Sequence, residues 1–462
     1  MNKDNICALA TSSGIGAIAI IRVSGPDAIS ICNTLFKSVK AGKSLLEQKS
    51  HSIHLGTIEN QGQLIDEVLV SLFKGPNSYT GENVVEISCH GSTFIQQQIL
   101  QTLIKKGCRT AEPGEFTFRA FMNGKMDLSQ AEAVADLISS ESKISHEVAI
   151  NQIRGGFSKK INKLKNDLVD FASLLTLELD FSGEDVEFAD RKKFTSLLIK
   201  LESELTKIQN SYKYGSVFKD GIPVAIMGKP NSGKSSLLNS LMNEEKSIVS
   251  EIQGTTRDII EDYLIIEGTK FRLIDTAGLR KTKDEIEAIG VDKALKAANK
   301  SKIVLFLYDS TDNDINGIKE QLSSLKSDSA EIIVFQNKID LYQGDDSVKN
   351  MIKQNFPKLQ DPLPLCTFKS ESVEFLKKEL LNKVNLSINQ SDTIITNIRH
   401  YNAVNNALKE IIKVKKDMQE NVPSDLISVD LNSAIKHIGE ITGDINSDDI
   451  LKNIFSNFCI GK

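Results

Sequence analysis

Short apolar runs bounded by Gly, Pro, Asn or polar residues open the chain, at Ala17–Val23, Val68–Phe73 and Val84–Ile87. Such runs read as strands. Ile95, Ile99, Leu103 and Ile104 then recur at helical spacing, and Gly107 stands where a C-terminal cap belongs. Residues 1–120 are therefore expected to form an α+β domain. From Ser129 the period changes: Ser129-Gln130-Ala131-Glu132 has the form of a capping box ahead of the apolar stretch Ala133–Ile138. Ile161, Leu164, Leu168, Phe171, Leu175 and Leu179 keep a three-to-four spacing up to the acidic turn Asp180–Glu187, which predicts a helical segment over residues 121–219. The same spacing resumes in residues 376–462, first at Tyr401, Val404, Leu408 and Ile411, then at Ile427, Leu431, Ile435 and Ile438. The two helical stretches are expected to pack as one all-helical domain, split by what lies between them.

That interruption, residues 220–375, alternates strand signals at Ile222–Met227, Phe271–Ile274, Ile303–Tyr308 and Ile332–Phe335 with helical segments. Alternation of this kind predicts a doubly wound, mainly parallel sheet. Ser310–Asn316 and Gln343–Asp346 read as loops, and there is no internal repeat.

Length and composition narrow the class. A chain of 462 residues exceeds a typical domain, so several folded units are expected, and 40% hydrophobic with 25% charged residues is ordinary for a globular protein. No apolar run reaches the ~18 residues of a membrane span, and Met1-Asn2-Lys3-Asp4-Asn5 lacks a signal-peptide pattern, so the expected location is cytoplasmic. The six cysteines have no CxxC pairing or His-partnered metal spacing, which argues against a disulfide framework or a zinc site. A net charge of −5 leaves no overall basic footprint, so an RNA substrate would need a local basic surface.

Gly228-Lys229-Pro230-Asn231-Ser232-Gly233-Lys234-Ser235, followed by Ser236, fits a phosphate-binding loop between a strand and a helix. Its glycines let backbone N–H groups approach phosphate oxygens, Lys234 reaches the terminal phosphates, and the Ser235 hydroxyl can ligate Mg²⁺. Asp275-Thr276-Ala277-Gly278 ends an apolar strand and brings a carboxylate near the metal and an amide near the γ-phosphate. Asn337-Lys338-Ile339-Asp340 ends another and has the NKxD form of a guanine reader, with Asp340 accepting from the base. Gly254-Thr255-Thr256-Arg257-Asp258 is the switch element. The phosphate loop, Asp275–Gly278 and Asn337–Asp340, three boxes in this order and each at a strand end, predict a GTP site. The fifth box of such sites, usually Ser-Ala-Lys, is expected at Thr367-Phe368-Lys369. Leu279 stands where Ras-type enzymes place a water-orienting Gln, and leucine cannot orient water, so the downstream acids Asp284, Glu285 and Glu287 are candidates for that task.

Arg22-Val23-Ser24-Gly25, Tyr79-Thr80-Gly81-Glu82, Pro113-Gly114-Glu115-Phe116 and the terminal Phe458-Cys459-Ile460-Gly461-Lys462 join these boxes along the chain. With them the sequence resembles the MnmE, or TrmE, family of tRNA modification GTPases over its whole length. The resemblance implies an N-terminal α+β domain that binds tetrahydrofolate and dimerises, a discontinuous helical domain, and an inserted Ras-like GTPase domain. It implies a GTPase that works with the FAD-containing MnmG protein, as a homodimer within a heterotetramer. The product is an aminomethyl-type group at C5 of the wobble uridine of certain tRNAs, with the carbon drawn from 5-formyl- or methylene-tetrahydrofolate. Arg22, Glu82, Lys125 and Lys462 are implied as folate-binding residues. The nucleotide site gains Ser250, Glu251, Ile252 and Gln253, and Mg²⁺ gains Thr256. Potassium takes the place of an arginine finger, held by Asn231, Ser250, Ile252 and Thr255, and Glu287 positions the attacking water through a second water. One departure is Cys89-His90-Gly91-Ser92, where a His-Gly-Gly ending is expected.

Two rival readings are a ribosome-assembly or translation switch without folate chemistry and a P-loop kinase; the NKxD box argues against the second. At the C-terminus, Cys459-Ile460-Gly461-Lys462 lacks the aliphatic third position of a prenylation box. Cys459 is expected to be either a small buried hydrophobe or a reactive thiol beside the folate.

Overall fold

The structure is a computed structural model describing residues 4–180, 191–244, 262–274, 295, 297–299, 301–312, 314–325, 330–384, 394–420, 422–444, 448–456 and 458–461. The chain divides into two compact units, one formed by Met1–Ile138, Ala149–Glu202 and Asn406–Lys462, the other by Ser139–Val148 and Ser203–Asn405.

The first unit holds a seven-stranded sheet of β1 (Asn5–Leu9), β2 (Ile18–Ser24), β3 (Phe36–Ser38), β4 (Ser52–Asn60), β5 (Gln63–Phe73), β6 (Val84–His90) and β7 (Cys108–Thr110), in the order β3-β4-β5-β6-β2-β1-β7. Neighbours are antiparallel except β1 and β7. Helices α1 (Ala28–Leu35) and α2 (Thr93–Lys105) cover one face, where Cys32, Leu35, Ile99 and Leu103 meet Ile21, Ile58, Val70, Val85 and Ile87. Gly107, at φ 105°, follows the end of α2 as the spacing predicts.

Three further helices follow in this unit: α3 (Glu115–Met122), α4 (Leu128–Ile138) and α6 (Gly156–Asp180). Helix α4 starts one residue before the expected Ser129, and its capping box is a different one. Asp127 Oδ1 accepts from the Gln130 amide at 2.9 Å, while Gln130 Oε1 accepts from the Asp127 amide at 3.0 Å. Ser129 is fully inside the helix and donates to Asp127 Oδ1, so Asp127-Leu128-Ser129-Gln130 is the reciprocal box. The long helix α6 buries Ile161, Leu164, Leu168, Phe171 and Leu175. It packs against α13 (Ser424–Thr442), which buries Ile427, Leu431, Ala434, Ile438 and Ile441. The C-terminal α14 (Asp448–Ser456) and Phe458 close the unit, with Leu451, Phe455 and Phe458 packed on Leu128, Phe118 and Phe121. Helices α5 (Lys143–Ile153), α7 (Arg191–Asp220) and α12 (Ile398–Gln419) contribute residues to both units.

In the second unit, β8 (Ile222–Met227), β9 (Asp262–Ile266), β10 (Thr269–Ile274), β11 (Ile303–Asp309), β12 (Glu331–Asn337) and β13 (Leu363–Pro364) form a sheet ordered β13-β12-β11-β8-β10-β9. All pairs are parallel except β9 with β10. Alternate residues of the same strand feed two cores: Val224, Ile226, Leu305 and Phe335 pack with α8 (Lys234–Glu244) and α11 (Ser370–Lys383). Ala225, Met227, Phe306 and Val334 pack with α9 (Ile315–Ser324) and α10 (Ser347–Asn355). Burial on both faces is why these strands read as unbroken apolar runs.

Candidate functional site

The phosphate-binding loop leaves the end of β8 and turns into the N-terminus of α8, the end of a helix that favours a bound phosphate. Its two glycines are dictated by space. A Cβ on Gly228 (φ 143°) would lie 2.1 Å from the Leu307 carbonyl oxygen, and one on Gly233 (φ 96°) would lie 2.0 Å from Asn337 Nδ2. Asn231 also adopts a left-handed backbone, at φ 62°, with its side chain exposed. Lys234 folds back over the loop, Nζ donating to the carbonyls of Gly228 at 2.8 Å and Lys229 at 2.6 Å. Burial pushes its ammonium down to about 8, so phosphate oxygens at this position would restore the charge that burial opposes.

The expected base-reading box, Asn337–Asp340, is joined to this loop directly. Asn337, fully buried at the end of β12, donates from Nδ2 to the Ser232 carbonyl at 2.8 Å. Among the described residues, Ser232 Oγ and Asn337 Oδ1 are buried without a hydrogen-bond partner. Lys338 is left-handed at φ 58°, and its Nζ meets Asp309 Oδ2 at 2.6 Å. Ser310 holds the same turn, its amide donating to the Asn337 carbonyl at 2.9 Å and its hydroxyl to the Lys338 carbonyl at 2.7 Å. Asp309 and Ser310 carry no motif, and only their position at the end of the neighbouring parallel strand could have pointed to them. Lys229 is tied to the following loop by Asp312 at 2.7 Å and Asp314 at 2.8 Å.

Asp340 is exposed, and Oδ1 accepts from the Cys366 thiol at 3.2 Å. The residue that meets Asp340 is therefore Cys366, one position before the expected Thr367-Phe368-Lys369, and Phe368 is 84% exposed. Ser235 and Ser236 begin α8 beside the loop. Ser250, Glu251, Ile252, Gln253, Gly254, Thr255, Thr256, Asp275, Thr276, Ala277, Gly278, Leu279 and Glu287 lie outside the described residues, as does Lys462.

A second cluster forms in the first unit, where β2, the turn at residues 76–82 and the C-terminus converge. Arg22 pairs with Glu86, its partner across β2 and β6, at 2.8 Å, and Nη1 donates to the Gly461 carbonyl at 3.2 Å. The guanidinium lies 5.3 Å from the Tyr79 ring centroid and 5.6 Å from that of Phe116. Glu82 Oε2 accepts from the Ser24 hydroxyl at 2.7 Å and from Arg119 Nη1 at 3.1 Å. Lys125 Nζ donates to the Pro76 carbonyl at 3.0 Å, and its side chain lies against Gly81. Arg22, Glu82 and Lys125, far apart in sequence, thus border one region. Sequence reading missed Glu86, Ser24 and Arg119; strand register would have found Glu86. The tail docks by main chain as well: the Gly114 amide donates to the Cys459 carbonyl at 3.3 Å, and a Cβ on Gly461 (φ 95°) would strike the Leu9 carbonyl at 2.2 Å. Cys459 itself is exposed, which overturns the buried-hydrophobe expectation for it. At the departing motif, Gly91 is required by the Gly16 carbonyl 2.2 Å from its would-be Cβ, while Ser92 sits at the start of α2 without a side-chain cap.

Two family profiles match this chain, a GTP-binding protein TrmE N-terminus over residues 5–125 and an MnmE helical domain over residues 128–459. The tRNA modification GTPase MnmE of Flavobacterium psychrophilum is 52% identical, covering 99% of both chains. That of Flavobacterium johnsoniae is 52% identical over 100% of both, and that of Bacteroides thetaiotaomicron 48% identical over 100% of both. Among solved structures, Aquifex aeolicus Era bound to GDP·AlF4⁻ is 25% identical over 40% of this chain and 65% of its own, with a TM-score of 0.27, too loose a superposition to argue from.

Proposed function

The chain belongs to the MnmE family of tRNA modification GTPases, and from that premise we propose a potassium-activated GTPase coupled to folate-dependent modification of tRNA. As a member it is a GTP hydrolase acting in tRNA modification. With the FAD-containing MnmG protein it adds an aminomethyl-type group at C5 of wobble uridine, using a tetrahydrofolate one-carbon unit. The working division is a folate-binding and dimerisation domain at 1–120, a helical domain at 121–219 and 376–462, and a GTPase domain at 220–375, in a cytoplasmic homodimer.

The observation that carries the nucleotide part is the Asn337–Ser232 hydrogen bond, which locks the phosphate loop to the base reader. Asp340 accepts from the guanine, with Asn337 and Lys338 supporting its edge and ring. Gly228, Gly233 and the start of α8 present N–H donors to the phosphates, and Lys234 adds a charge. Bound Mg²⁺, on Ser235 and Thr256, would neutralise charge on the β- and γ-phosphates. The exposed Asn231 amide has the neutral oxygen that potassium prefers, and with Ser250, Ile252 and Thr255 it would hold that ion, which supplies positive charge where an arginine finger does in other GTPases. Glu287 orients the attacking water, a task Leu279 cannot perform. In the N-terminal region, Arg22, Glu82 and Lys125 with the C-terminal Lys462 bind the folate; a guanidinium over two aromatic rings, a carboxylate and an ammonium fit its mixed aromatic and charged character. Cys459 is an accessible thiol beside that tail.

The test is mass spectrometry of wobble uridines from cells lacking this protein. The aminomethyl-type nucleosides should vanish; an unchanged profile would remove the modification reading while leaving the GTPase in place.

A further inference from the structure

Arg119 on α3 is 8% exposed and commits its guanidinium to four groups. Nη2 donates to Asp4 Oδ1 at 2.7 Å and to Glu115 Oε1 at 3.0 Å, and Nε reaches the same Glu115 oxygen at 3.3 Å. Nη1 donates to the Asp4 carbonyl at 2.9 Å and to Glu82 Oε2 at 3.1 Å. Asp4 and Glu115 have a second cation, Arg109, whose Nε meets Asp4 Oδ2 at 2.6 Å and whose Nη1 meets Glu115 Oε2 at 2.7 Å. Two arginines therefore already balance Asp4 and Glu115. Glu82 is a third carboxylate, surplus to that balance.

The surplus carboxylate is fixed from one side. Its Oε2 takes the Ser24 hydroxyl, itself bonded to the buried Thr80 hydroxyl at 2.7 Å, and the short Arg119 contact. Among the described residues its Oε1 keeps only a 3.3 Å contact with the same Arg119 nitrogen. One oxygen is thus left to accept from a ligand, on a side chain that is 23% exposed. An oriented carboxylate with an open oxygen suits the adjacent N–H donors of a 2-amino-4-oxo pterin ring. We propose that Arg119 is the positioning residue of this pocket, fixing the Glu82 carboxylate toward the ring donors of a reduced folate; the inference rests on the folate reading above. A lysine at this position keeps the charge but cannot serve three carboxylates from one planar fork.

A double-mutant cycle on the full chain, read as the calorimetric Kd for 5-formyl-tetrahydrofolate, tests it. Glu82→Gln and Arg119→Lys should each weaken binding about tenfold or more, as expected for loss or misalignment of a charged hydrogen bond. If Arg119 acts through Glu82, the double variant loses no more than Glu82→Gln alone. Arg109→Gln disturbs Asp4 and Glu115 without touching Glu82, so it should hold the wild-type Kd within about threefold even where the melting temperature falls. Additive losses in the cycle, or an Arg109→Gln loss equal to that of Arg119→Lys, would make the network a structural one and overturn the inference. Failure of the wild type to bind 5-formyl-tetrahydrofolate would overturn the folate reading itself, and the inference with it.

Discussion

At the scale of single residues, the nucleotide site was the most legible part of the sequence, because each box must present fixed atoms at a strand end. Gly228, Gly233, Lys234 and Asn337 lie together at one end of the second sheet as their motifs predict. What the motifs could not reveal is the support behind them: Asp309 and Ser310 act from a neighbouring strand, and the Cys366 thiol, just before the expected Thr367-Phe368-Lys369, donates to Asp340. The thiol is a weak donor, so as the proposed base reader Asp340 would obtain its selectivity chiefly from its own charge. Asp340→Asn should therefore weaken GTP and admit xanthosine triphosphate, since the amide offers a donor where guanine needs an acceptor. Such a mismatch costs about 1–3 kcal/mol, read as paired Kd values for the two nucleotides, and unchanged GTP affinity would mean that Asp340 is not the base reader. Hydrolysis poses a separate question, because Leu279 cannot orient water. Replacing potassium by sodium should lower kcat by a factor approaching that of a lost arginine finger, ~10³-fold or somewhat less, with little change in GTP binding. Glu287→Ala should likewise depress kcat and spare binding, because its contact belongs to the transition state. Equal turnover in the two salts would exclude the ion, and a fully active Glu287→Ala would return that acid to an ordinary surface charge.

Among elements, legibility followed burial. The strands of the second sheet are covered on both faces, so their apolar runs match β8, β10, β11 and β12 to within a few residues. Strands β3, β4, β7, β9 and β13 escaped the reading because they are short or weakly patterned, and β1 escaped it although four of its five residues are buried. In β4 the apolar Ile53 and Leu55 point outward while His54 and Gly56 are buried, and β3 and β7 are only three residues each. The amphipathic helices α6 and α13 were readable from period alone, since each buries a single stripe. Their caps were not. At α4 the expected box at Ser129 yields to Asp127 and Gln130, whose reciprocal bonds need no apolar signal nearby. Asp127→Ala should then destabilise the start of α4 by about 1 kcal/mol, the usual cost of losing an N-cap. Native-state hydrogen exchange should show the Gln130 amide opening about fivefold faster, as that energy implies, with amides late in α4 unaffected. An unchanged rate at Gln130 would mean that the box is decorative.

For the whole molecule, the two sheets differ in a way that bears on assembly. The second has helices on both faces, whereas in the first α1 and α2 cover one face and α3 reaches the other at β1, where Phe116 packs on Ile6 and Ala8. On its other face Ile53 is 67% exposed, Leu55 48% and Leu69 45%, and Leu55 pairs with Leu69 across β4 and β5. Strand β4, which turns Ile53 and Leu55 outward and His54 inward, is inverted for a monomer, and contiguous exposed apolar surface marks a contact with another protein. The proposed homodimer offers the occupant, a second copy of the same face related by a two-fold axis, as most homodimers are built. Because this face belongs to the unit that lacks the phosphate loop, its association should not depend on nucleotide. Sedimentation at micromolar concentration should give a dimer with GDP and without it. The combined substitution Leu55→Glu and Leu69→Glu should give a monomer in both conditions, because like charges would then meet across the axis. Both side chains are largely solvated already, so the monomer should keep its melting temperature within a few degrees apart from the stability that dimerisation itself contributes. A wild-type monomer without nucleotide would deny the dimer. A dimer that survives both glutamates would place the contact on another face of the same unit, and leave the inverted strand unexplained.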